Sequence, residues 1–154
     1  MSMKLKRDEI VAIYSTIKDA NLLKMKIDCK KSFVINSIKL KEVADKINDE
    51  NTKVADSLRT KEYDKALQEY LKCKAEYEKE NSKENEVALN AAIKVFEPLF
   101  QDMEKKFTDI VKSLEQEYEI DLVRIPMDSY LEYLDALGND YSFKSIIVLD
   151  KLFE

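Results

Sequence analysis

The chain has 154 residues, 45% hydrophobic and 37% charged, with one glycine, two prolines, two cysteines and no histidine. That length sustains a core without disulfide or metal staples, and so little turn chemistry excludes strand-rich folds. The formal net charge of −5 is unevenly spread: residues 1–60 hold 13 Lys and Arg against 9 Asp and Glu, and residues 61–154 hold 13 against 22. In a compact domain such halves face each other or water; the same asymmetry is also how a chain meets an anionic partner.

Cys29 and Cys73 sit without CxxC spacing and read as free, reduced thiols. No apolar run approaches the roughly 18 residues of a membrane span, and the opening MSMKLKRDEI lacks the apolar region of a signal peptide. The expectation is a cytoplasmic protein off the membrane.

In chain order, Lys4-Leu5-Lys6 precedes Asp8, which is placed to cap a short helix with an apolar face of Ile10, Ile13, Tyr14 and Ile17, ending near Ala20-Asn21. Phe33, Leu40, Ile47 and Val54 then recur every seventh residue, with Ala44 and Leu58 between them. This predicts a long helix from about Asp28 to Arg59. Asn51 interrupts the stripe, where a buried polar group sets register or merely marks the end of the packed zone. Thr60 caps a third helix whose face is Tyr63, Ala66, Leu67, Tyr70, Leu71, Ala75 and Tyr77. The tyrosines at 63, 70 and 77 read as the amphipathic edge of a core, the alternative being a stacking platform for a base.

The strongest pattern follows. Leu89, Ile93, Phe96, Phe100, Met103, Phe107, Ile110 and Leu114 alternate steps of four and three, a heptad seam of the coiled-coil kind about 38 Å long. It predicts a helix from about Asn85 to Glu117, with Pro98 inside it and off the seam, where a kink or the loss of one backbone hydrogen bond is expected. Two seams of similar length predict that the second and fourth helices pack along each other, with the tyrosine-bearing helix covering one side. Between them, KENSKENE reads as a loop. From Tyr118 to Ile125 the period shortens to two, so a short strand is expected, paired with Met3–Lys6 in a minimal sheet. Asp128 or Ser129 caps a short helix ended by Gly138, and Ser142 opens a last, largely apolar one that docks on the bundle or a second subunit. The fold class is therefore mainly α: a single domain over 1–154, with a long-helix bundle at 28–117 and a strand plus two short helices at 118–154.

Without histidine, Ser-His-Asp and Cys-His arrangements and most zinc sites are excluded, and one glycine cannot build a phosphate loop. Glu117, Glu119 and Asp121 share a strand face, which reads as solvated rather than metal-binding. No cofactor, metal or catalytic residue is expected. The candidate binding segment is basic: Lys24, Lys26, Lys30 and Lys31 near the junction of the first two helices, with Arg59 and Tyr63 towards the other end, groups that suit a small anionic nucleotide. Overall acidity and the lack of a helix-turn-helix pattern argue against DNA.

The order KLKRDEI, a helical hairpin of charged heptads, then EQEYEIDLVRI before two short helices resembles small proteins of bacteriophages and prophages, in outline over most of the chain and in sequence only at Tyr118 to Ile125. The resemblance implies an accessory protein inside a bacterial host, in virion assembly or in counteracting host defence, and carries over no functional residue. The reading reached is a non-enzymatic interaction protein, self-associating and binding a host or phage protein through its helices, with a nucleotide sponge and a virion component as alternatives.

Overall fold

The computed structural model describes residues 1–138 and 143–154. It is mainly α with a two-stranded antiparallel sheet: β1 (Ser2–Lys6), α1 (Arg7–Lys18), α2 (Ile27–Leu58), α3 (Lys61–Lys79), α4 (Lys83–Ser113), β2 (Glu117–Asp121), α5 (Met127–Ala136) and α6 (Lys144–Leu149). Among the described residues, 3₁₀ turns also lie at Leu22–Lys24 and Asp150–Leu152. Contacts divide the chain into two compact units, one of Met1–Glu50 with Glu115–Glu154 and one of Asn51–Leu114. The boundary falls at Asn51, where the apolar stripe of α2 is interrupted.

In unit 1 the strands pair in antiparallel register, Met3 with Ile120 and Leu5 with Tyr118. β2 stops at Asp121, four residues short of the expected Ile125, because the next backbone groups are taken elsewhere. The Asn36 side chain, fully buried on α2, accepts from the Val123 N–H at 2.8 Å and donates to its carbonyl at 2.9 Å, completing the bonds a third strand would supply. Ser32 donates to the Arg124 carbonyl at 2.8 Å, and Ile125 pairs with the tail by donating to Leu152 at 2.8 Å. Arg124 in turn donates to the carbonyls of Lys151 and Phe153, both at 2.9 Å. The 122–125 segment is thus held between α2 and the C-terminal residues, and the inner face of α2 (Cys29, Phe33, Leu40, Ala44, Ile47) packs in one core with Leu5, α1, β2, α5 and the tail.

α1 has the expected apolar face, but its cap differs: Lys6 precedes the first turn and Glu9 reaches back to accept from the Lys6 N–H at 2.8 Å, leaving Asp8 inside that turn. α5 starts after Pro126 with no side-chain cap. Ser129, expected as a cap, is buried and donates to Asp28 at 2.8 Å. Gly138 takes the expected left-handed conformation, φ +77°. The start of the last helix at Ser142 lies outside the described residues. The tail docks on unit 1 through Leu149, Leu152 and Phe153, while Phe143 and Ile147 stay exposed.

Unit 2 is the α3–α4 hairpin with the last turns of α2. Thr60 caps α3, accepting from the Tyr63 N–H at 3.0 Å, and Ser82 caps α4, accepting from Asn85 at 3.1 Å. The expected face of α3 is partly corrected: Tyr63 and Ala66 are buried, whereas Leu71 and Ala75 are exposed and Cys73 is buried in their place. α4 runs through Pro98 without interruption and has α3 as its extensive partner. Within unit 2 the seam of α4 is applied to α3, while the α2 stripe from Cys29 to Ile47 is enclosed in the core of unit 1.

Candidate functional site

The basic segment is largely engaged inside unit 1. Lys24 donates to the Ala136 carbonyl at 3.4 Å, and Lys26 pairs with Glu132, a hydrogen bond that raises the lysine pKa. Lys30 and Lys31 open α2 and make no ion pair with any described residue. Further along, Lys39 pairs with Asp121 at 3.3 Å and Lys41 with Asp45. Arg59 and Tyr63 belong to unit 2 and meet each other: the guanidinium donates twice to Asp64, at 2.8 and 2.6 Å, and lies 5.7 Å from the Tyr63 ring centroid. That carboxylate raises the Arg59 pKa. The candidate residues thus form two separate sets, lysines around the start of α2 and an Arg59–Tyr63 pair after its last residue.

The tyrosine row is an edge of packing. Tyr63 is buried with its ring 5.5 Å from Phe96, and Tyr70 stacks on Phe96 at 5.3 Å and 8°. Rings so engaged have no free face to offer a base on that side. The thiols are quiet: burial pushes Cys29 up to about 11 and raises Cys73, so neither is a ready thiolate near neutral pH. Among the described residues no cluster of three or more Cys, Asp or Glu is placed to hold a metal, and no helix is long and apolar enough to cross a membrane.

The surface that stands out is apolar and lies on α4. Ala92 is the only buried residue of that helix. Leu89, Ile93, Phe96, Met103 and Phe107 are half-covered; Phe100 is 42% exposed, and Ile110 and Leu114 are also exposed. Beside the seam, a groove of about 360 Å³ between α3 and α4 is lined by Ala66, Cys73, Ala88, Ala91, Ala92 and Val95, with Glu69 at its polar edge. Val95 is 61% exposed there. Sequence periodicity located the seam but not its exposure, because spacing reports which side chains share a face and not how many neighbours cover it. No protein-family model, curated protein or solved structure matches the chain.

Proposed function

We propose that the chain is a non-enzymatic interaction protein in which the α3–α4 hairpin receives another protein. The observation that carries this is the seam of α4: of its eight large apolar side chains at heptad spacing, Phe100, Ile110 and Leu114 are exposed and the other five are only half-covered by α3. A helix that keeps such a row in contact with water gains roughly 25 cal/mol per Å² when a partner covers it, and this is the usual meaning of an extended apolar patch on a folded surface. The anchor of the partner interface is Phe100 on the exposed part of the seam, and the small-residue groove lined by Val95 is a second part of the same hairpin surface. Under the resemblance to phage and prophage proteins, the partner is a protein of the host or of the phage.

The test is photo-crosslinking from a benzophenone residue at position 100, followed by affinity capture from bacterial cells. The expected result is a discrete crosslinked product that Val95→Glu removes while circular dichroism stays unchanged. Identical capture by the native chain and the variant would defeat the proposal, and so would turnover of a substrate by the purified protein.

A further inference from the structure

α2 is apolar on two sides. One side is the core stripe of unit 1; on the other, Ile27, Val34, Ile35 and Ile38 are exposed, Ile27 at 65% and Ile38 at 72%. At about 3.6 residues per turn these four share the face opposite Phe33 and Leu40 and cover about 16 Å of helix. Single exposed aliphatics are ordinary, but a helix apolar on both sides has the pattern of one covered on both sides.

The charges around this face state what covers it. Between Ile27 and Lys41 the charged residues are four lysines and one aspartate. Asp28 is turned to Ser129, Lys39 and Lys41 are held by Asp121 and Asp45, and Lys30 and Lys31 stand beside the aliphatic row with no ion pair among the described residues. From this stretch a second copy would offer only Asp28, already engaged by Ser129 and the Cys29 N–H, so it brings no free carboxylate of residues 27–41 to Lys30 and Lys31. Two uncompensated cations flanking four aliphatics match a ligand with the reverse arrangement. We infer that the outer face of α2 docks an acidic amphipathic helix of a partner protein, its apolar side on Ile27, Val34, Ile35 and Ile38 and its carboxylates against Lys30 and Lys31. This rests on the reading of the chain as an interaction protein but uses a surface separate from the seam of α4.

The test is fluorescence anisotropy on the full chain with amphipathic helical peptides of about five turns, leucine at positions i, i+3, i+4 and i+7 and glutamate on the flanks, against twins with lysine flanks. The glutamate peptide binds at least about tenfold tighter than its twin, and Ile38→Asp or the double reversal Lys30→Glu with Lys31→Glu each weakens it about tenfold. Val95→Glu leaves it unchanged. Equal binding of both peptides, or binding indifferent to Ile38→Asp, overturns the inference. Binding of phosphatidylserine vesicles in place of the peptide assigns the face to a lipid surface, and self-association lost in Ile38→Asp assigns it to a second copy; either overturns it. Loss of peptide binding alongside Val95-dependent capture sinks this inference alone and leaves the α4 reading standing.

Discussion

Unit 1 and unit 2 are built from the same kind of helix and use it differently. The part of α2 that belongs to unit 1 carries Phe33, Leu40, Ala44 and Ile47 on one face, and all four are buried in a cluster that draws on both ends of the chain. α4 carries the more regular seam, yet unit 2 buries only Tyr63, Ala66, Cys73 and Ala92. The number of neighbours explains the contrast. A stripe is enclosed when other elements close over it from several directions, as β1, α1, β2, α5 and the tail do over α2; a hairpin covers one stripe from one side and leaves its flanks wet. Heptad regularity is thus a statement about contact along a line, and burial depends on what arrives from elsewhere in the sequence.

The largest expected effect follows from that contrast. Phe33→Ala empties a site enclosed on all sides and stacked on Tyr130 at a centroid distance of 5.7 Å, and costs about 3–5 kcal/mol of stability. The same change at half-covered Phe107 costs about 1 kcal/mol, since less area is lost and water already reaches the site. Guanidinium titration followed by far-ultraviolet circular dichroism measures both. Equal losses would mean that the seam of α4 is covered in solution by a second chain, and dilution would then separate the two variants.

The next effect concerns the piece of unit 1 that the sequence did not announce. Periodicity made the long helices legible to within a few residues, and the alternation around Tyr118 announced the sheet with its partner strand. Thr60 and Gly138 were legible because a cap and a left-handed turn impose residue types locally. What stayed illegible is long-range. Asn36 carries no signal of its own in a run of charged and apolar residues, yet it holds Val123 across 87 positions of sequence. Nor does spacing say that Lys26 is engaged by Glu132 or Arg59 by Asp64. Asn36→Ala strands the Val123 N–H and carbonyl beside a buried helix face and costs about 2 kcal/mol or more. In hydrogen exchange, the amides of Val123 to Ile125 lose protection in this variant, while those of α3 and α4 do not change. A loss spread evenly over both units would mean that the units unfold together.

The smallest effect is a pH dependence confined to unit 1. The Asp28 carboxylate accepts from Ser129 at 2.8 Å and from the Cys29 N–H at 2.7 Å, and these two bonds, the Ser129 hydroxyl first, hold its pKa below the ordinary aspartate value. A folded-state pKa lower than the unfolded one adds stability that is complete above about 3.9 and is lost as the pH falls through the folded value. Acidification below about 4 therefore loosens the junction of α2 and α5, which Asp28 and Ser129 join. Asp28→Asn keeps an oxygen acceptor for Ser129 but cannot titrate, so the variant starts slightly less stable near neutrality and shows a shallower fall of Tm between about pH 5 and 3. Because Asp28 belongs to unit 1, the difference registers at the amides of α2's first turns and of α5, and the α3–α4 hairpin titrates alike in both proteins. An unchanged acid limb in the variant would mean that the Asp28–Ser129 bond contributes nothing in solution, and the anchoring of α5 would then fall to the burial of Tyr130, Tyr133 and Leu134 alone.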